Sequence, residues 1–117
     1  MKYDHLRDYA TNGFRTYAAA GKPTHVYHRD PPLFDDVSAA TLAREWLCAT
    51  TDGVLTWQCV DIVYFTLPNI PLRNRDVADR VRYAAHTLHM DERSVYRRLK
   101  TARQLFAKAR GLNEICR

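Results

Sequence analysis

The stretch Ala85–Val95, AHTLHMDERSV, decides which fold is predicted for the C-terminal third of this chain. It has the spacing of two helices joined by a tight turn. Ala85 is small enough to lie where two helices cross, and Leu88 and Met90 bracket the turn as apolar contacts. Asp91 can accept the unpaired amide hydrogens that begin the next helix. The stretch therefore predicts a helix, a turn and a second helix.

One position departs from the usual pattern. Such a turn commonly carries glycine, which adopts a positive φ freely, whereas here the residue is His89. Histidine tolerates left-handed backbone geometry better than β-branched residues do, so we expect the turn to form with some strain. Together with its flanks, the pattern predicts a helix-turn-helix between about Arg75 and Arg110.

The helix after Asp91 is predicted to have two opposite faces. At about 100° per residue, one stripe is apolar and faces the core: Val95, Leu99, Ala102, Phe106 and Ala109. The opposite stripe is basic or amide-bearing: Arg93, Arg97, Lys100, Gln104 and Lys108. The major groove of DNA admits one helix, and a helix with such faces can present its basic side there while its other side stays in a core.

The same helix carries a family resemblance in its pattern Ser94-Val95-x-x-Arg98-Leu99-x-x-Ala102-Arg103-x-x-Phe106. This pattern resembles the recognition helix of sigma-70 region 4, above all of the extracytoplasmic-function type. The resemblance covers about 22 residues, Ala85 to Phe106. In size and architecture the chain is also similar to small phage regulators of late transcription of the ArpU or RinA kind.

The resemblance implies promoter or operator recognition, with bacterial RNA polymerase as a further partner, while charge and periodicity by themselves indicate only a helix that faces DNA. The residues predicted to contact DNA are Arg93, Ser94, Tyr96, Arg97, Arg98, Lys100, Arg103, Gln104 and Lys108. A complete sigma factor is not expected, because 117 residues leave no room for the module that opens the promoter.

The rest of the chain is predicted to be helical, which gives an all-α fold of about five helices. Spacing of apolar residues predicts a first helix over about 3–20 and a second that starts near Asp35 or Ser38 and buries Leu42, Trp46 and Leu47. Asp52-Gly53 is read as a break, followed by an apolar helix from Val54 to Phe65; its β-branched content would also permit a strand. Asn74 is the predicted N-cap of the fourth helix.

Charge divides the chain unevenly. Residues 1–72 hold six Lys/Arg against eight Asp/Glu, whereas residues 73–117 hold twelve against five. We therefore expect a helical arm or body over 1–50 and a DNA-binding region over 51–117, with a single compact domain as the alternative. Three cysteines without framework spacing predict a reduced, cytoplasmic protein, and no segment is apolar enough to predict a membrane span.

Other chemistry is not expected. His25-x-x-His28 and His86-x-x-His89 lack the cysteine pairs of small zinc sites, and Asp35-Asp36 is explained as acidic residues near a helix start. No phosphate-binding glycine loop occurs, so neither a cofactor nor enzymatic activity is predicted. The main alternative is a helical protein-interaction module that contacts RNA polymerase or another regulatory protein. Oligomeric state stays open, with a homodimer among the alternatives.

Overall fold

A computed structural model describes residues 5–20, 31–66 and 72–111 of the chain. These ranges contain five helices and no strand: α1 (His5–Ala20), α2 (Pro31–Leu47), α3 (Thr51–Tyr64), α4 (Asn74–Leu88) and α5 (Glu92–Arg110). The all-α prediction is confirmed for this part of the chain. Helix, rather than strand, is the conformation of the apolar third segment.

Helix α1 is a central part of the core. Ala10, Phe14 and Tyr17 are buried on one side of it, at the three- and four-residue spacing that the sequence predicts. The ring of Phe14 lies 5.2 Å from that of Phe106 in α5 and 6.0 Å from that of Tyr64 in α3, measured between centroids. Such aromatic contacts add to the roughly 1.5–3 kcal/mol gained by burying a large apolar side chain. They join the first helix to the last.

Helix α2 begins earlier and buries a different face than predicted. It starts at Pro31, because proline is tolerated in the first turn of a helix, where an amide hydrogen would have no partner. The prediction that Trp46 is buried is wrong: its side chain is 38% exposed. The residues that α2 buries are mostly small: Val37, Ala39, Ala40, Ala43 and Leu47. Small side chains let α2 pack closely on α1 and α5.

Helix α3 includes Asp52-Gly53, the dipeptide predicted to break the helical pattern before it. Thr50 is the N-cap, and its hydroxyl accepts a hydrogen bond from the Gly53 amide at 2.9 Å. Gly53 lies against the Leu47 carbonyl oxygen at the end of α2, and a Cβ at this position would clash with that oxygen. The glycine is therefore explained by the close approach of two helices and not by a break.

Helix α4 buries Val81, Ala84 and Ala85, with Val77 and Leu88 partly buried. Its N-cap is one residue earlier than expected. Asn74 is the first helical residue, and the amide of the true N-cap, Arg73, donates to the Asp76 carboxylate at 3.1 Å. An acidic residue in the first turn thus supplies the cap.

All five helices contribute to one hydrophobic core. The predicted boundary at residue 50 falls between α2 and α3, yet buried residues on both sides of it belong to the same cluster. The radius of gyration is 13.8 Å, close to the ~13 Å expected for a single compact domain of this length.

Candidate nucleic-acid interface

The turn between α4 and α5 has left-handed backbone geometry at His89, with φ 57° and ψ 50°. Among the described residues other than glycine, only His89 has a positive φ. The next amide, of Met90, donates to the Ala85 carbonyl oxygen at 3.0 Å, as in a Schellman helix end. Met90 and Leu88 are partly buried against the core on either side of the turn. The left-handed backbone conformation expected at His89 is confirmed.

Helix α5 has a cap at each end, and Asp91 is the N-cap that the sequence predicts. The Asp91 carboxylate accepts a hydrogen bond from the Ser94 amide at 2.8 Å, and Gly111 ends the helix with φ 84°. Hydrogen bonding to Ser94 lowers the pKa of the Asp91 carboxyl, and the nearby charges of Arg97 and Arg93 lower it further. The cap is therefore ionised at neutral pH and fixes where the helix begins.

The two faces of α5 are as the sequence predicts. Val95, Leu99, Ala102 and Phe106 are at most 1% exposed, and Ala109 is partly buried. On the opposite side the exposed residues include the whole predicted stripe: Arg93, Arg97, Lys100, Gln104 and Lys108. We call these five residues the basic face. Within the described ranges, none of its four cations forms an ion pair.

Arg98, one of the predicted DNA contacts, is turned toward α3 instead of outward. One of its terminal nitrogens donates to the Asp52 carbonyl oxygen at 3.0 Å and to the Thr56 hydroxyl at 2.9 Å. The other nitrogen forms an ion pair with the Asp52 carboxylate at 2.9 Å. The hydrogen bond from Arg98, followed by its charge, lowers the pKa of the Asp52 carboxyl. The geometry gives Arg98 an intramolecular role.

The remaining predicted contacts flank the basic face. Arg103 is partly buried and donates to the Tyr64 hydroxyl at 2.8 Å. Tyr96 is 45% exposed and Ser94 is partly buried. The Lys108 ammonium lies 5.6 Å from the centroid of the Trp46 ring, so α2 covers part of the C-terminal end of the basic face with an aromatic side chain.

Sequence reasoning missed an exposed polar face of α4, which includes Arg75, Arg82, Tyr83 and His86. Tyr83 is 62% exposed, the most of any large apolar side chain in the described ranges. Helical spacing could have revealed this face, because these residues lie opposite the stripe that contains Val81. Arg82 forms an exposed ion pair with Asp79 at 3.1 Å, whereas Arg75 forms none among the described residues.

The Asp35-Asp36 pair is explained by a tertiary contact rather than by the start of a helix. Both residues lie beyond the first turn of α2. The Asp36 carboxylate accepts hydrogen bonds from Tyr9 and from Arg110, each at 3.0 Å. These bonds tie the last turn of α5 to α1 and α2, and the hydrogen bond with Asp36 raises the pKa of Arg110.

The described ranges contain neither a cluster of metal-binding side chains nor a helix that could span a membrane. No group of three His, Cys, Asp or Glu side chains there could hold a metal ion; His25 and His28 lie outside these ranges. No described helix is long and apolar enough to cross a bilayer. Comparison of the chain with protein-family models, curated proteins and solved structures gave no match.

Proposed function

We propose that this protein binds double-stranded DNA through the basic face of α5 and acts as a sequence-specific regulator of transcription. The observation that supports the proposal best is the exposed charge of that face, which forms no ion pair with any described residue, on a helix whose opposite side is buried in the core. No acidic residue occurs from Arg93 to Arg110, so nothing on this length of helix repels phosphate.

The dimensions of the helix support a position in the major groove. Arg93 and Lys108 are fifteen residues apart, which at a rise of ~1.5 Å per residue places them about 22 Å apart along the axis. The major groove is about 12 Å wide, so a helix of this length lying in it meets base edges near one end and phosphates near the other. Arg93 and Arg97, close to the N-terminal end, are the proposed base-reading residues.

Charge also limits how many phosphates the protein engages. Of the eleven Lys and Arg residues from 73 to 110, six have side chains that donate to other groups of the protein: Arg73, Arg80, Arg82, Arg98, Arg103 and Arg110. The other five of these eleven are exposed and form no ion pair in the described ranges: Arg75, Arg93, Arg97, Lys100 and Lys108. If about four phosphates are neutralised, log K should fall against log salt with a slope near −4.

Regulation of transcription rests on the resemblance to sigma-70 region 4 and to small phage late-transcription regulators. That resemblance also makes bacterial RNA polymerase a proposed partner. The alternative, a helical protein-interaction module, predicts no affinity for random duplex DNA.

A salt titration on random duplex DNA tests the proposal. For the parent, a plot of log K against log salt concentration should have a slope near −4. In a double variant with Arg97→Ala and Lys100→Ala, the slope should be smaller in magnitude by about two units. A matched control is Arg44→Ala, which removes an exposed cation of α2 that lies beside Tyr17 and Trp57 and not in the basic face. Absence of binding at low salt, or equal slopes for the parent and the double variant, would overturn the proposal.

A further inference from the structure

A cleft beside α5 is bounded by four of the five helices and encloses about 360 Å³. Small-molecule sites in proteins are commonly of this size or larger. Residues of α1, the start of α4 and the middle of α5 form its walls, with Tyr64 of α3 among them. The proposed DNA contact does not explain this cleft, because the residues of the basic face do not line it.

The charge within the cleft is not balanced. Arg7 and Asp8 of α1 form an ion pair at 3.5 Å, so their charges offset each other. Within the described ranges, Arg103 has only the neutral Tyr64 hydroxyl as its hydrogen-bond partner, and no carboxylate there forms an ion pair with it. Partial burial of a guanidinium costs free energy when no anion is paired with it. Arg103 is therefore suited to bind an anionic group of a ligand.

Apolar side chains next to that charge define the rest of the ligand. The partly exposed side chains of Leu72 and Val77 line the cleft, and the half-exposed ring of Tyr96 lies among its walls. A bare phosphate or chloride ion would leave this apolar surface uncovered. An aromatic or aliphatic body attached to an anionic group would cover it.

We propose that this cleft binds a small organic anion with an apolar body, such as an aromatic carboxylate, with its charge on Arg103. Tyr96 and Arg103 belong to the same helix as the basic face, so a bound anion and bound DNA would influence each other. That link rests on the proposed function, whereas binding of the anion does not, and the two are measured separately.

Fluorescence titration of the full chain with anilinonaphthalene sulfonate tests the site without DNA. This probe carries an aromatic body and one anionic group. We expect saturable binding that salicylate displaces and that inorganic phosphate at the same ionic strength does not. Equal displacement by phosphate would show a simple anion site, and failure of the probe to bind would exclude the site; either result overturns the proposal.

Three variants locate the binding. Arg103→Gln should lower the affinity for the probe about tenfold, as expected for loss of a charged hydrogen bond. Asn74→Trp, at an exposed position on the rim, should lower the affinity for the probe similarly, because the larger side chain fills the cleft. This second variant keeps the test valid should Arg103→Gln perturb folding. Val54→Trp, on an exposed position of α3 outside the cleft, should leave binding unchanged. Equal affinity of parent, Arg103→Gln and Asn74→Trp would overturn the assignment.

In a separate titration with duplex DNA, Arg103→Gln should keep the parent's salt slope. A slope smaller by about one unit would show that Arg103 meets a phosphate of DNA instead, which also overturns the proposal.

Discussion

The guanidinium of Arg98 in α5 lies 2.9 Å from the carboxylate of Asp52 in α3, and the two residues are 46 positions apart in sequence. Because the same guanidinium also binds the Asp52 carbonyl and the Thr56 hydroxyl, one side chain fixes the N-terminal half of α5 against the first two turns of α3. The orientation of the basic face therefore depends on a residue that does not belong to it.

Asp52→Asn should lower the melting temperature at neutral pH, because the variant keeps a hydrogen-bond acceptor but loses the charge. The pKa of the Asp52 carboxyl is lowered in the folded protein, so its contribution is complete above about pH 5. The contribution is lost as pH falls from about 4 through the lowered pKa, and the difference between parent and variant should shrink in that range. Thermal melts from pH 2.5 to 8 measure this.

The matched control is Asp61→Asn, an exposed position of the same helix without an ion pair in the described ranges. It changes net charge identically. An identical pH profile for the two variants would contradict the role of the Arg98 pair.

Leu99→Ala and Lys100→Ala should differ sharply in stability although the residues are adjacent. Leu99 is 1% exposed, so its truncation should cost about 2–5 kcal/mol of unfolding free energy. Lys100 is exposed, and its truncation should stay within about 0.5 kcal/mol. Urea unfolding measures both. Similar costs at the two positions would show that the two faces of α5 are wrongly assigned.

On DNA, Arg97→Ala and Lys100→Ala should differ in selectivity. If Arg97 binds a guanine with two hydrogen bonds, its loss should cost about 1–3 kcal/mol and relax preference at one base pair. Lys100→Ala should weaken all sequences alike if it meets a phosphate. Selection from a random DNA pool, followed by titration on the selected site, separates these effects. An equal loss of affinity for all DNA sequences in Arg97→Ala would mean that Arg97 contacts the phosphate backbone of DNA and not a base.

His89→Gly should stabilise the protein by about 0.5–1 kcal/mol, because glycine adopts the left-handed conformation without steric cost. His89→Val should destabilise it, since a β-branched residue is disfavoured at the observed φ of 57°. Thermal melts of both variants provide the comparison. The reverse order of stability would mean that the turn changes its geometry on substitution.

Gly13→Ala should destabilise the protein by about 1–3 kcal/mol, because a Cβ there would clash with the ring of Phe106. In an unobstructed helix the same change would stabilise by up to about 1 kcal/mol, so the sign of the effect is decisive. Asn12→Ala, at the exposed neighbouring position, is the control. A stabilising Gly13→Ala would show that α1 and α5 can separate at low cost.

Local signals explain why the turn and α5 could be predicted from sequence. The cap at Asp91, the left-handed residue His89 and the stripe that contains Leu99 each depend on residues within one or two helical turns. A single sequence reveals such short-range relationships directly.

Tertiary contacts explain what could not be predicted. The buried face of α2 consists largely of alanines, so the large apolar residue Trp46 was a misleading guide to it. Gly53 resembles a helix break until the Leu47 carbonyl oxygen beside it is known. The partners of Arg98 and Arg103 lie 46 and 39 residues away, and helical spacing places these arginines only at the edge of the basic face.

Because Phe14 contacts Phe106, the proposed DNA-binding region is poorly suited to transfer onto another protein without α1. Residues 51–117 grafted onto another protein would carry the rings of Phe106, Trp57 and Phe65 without the helix that now packs on them. Uncovered aromatic surface of this kind favours self-association. Transfer of this segment to another protein therefore has to include α1, and substitutions in α1 are constrained by a helix nearly a hundred residues away in sequence.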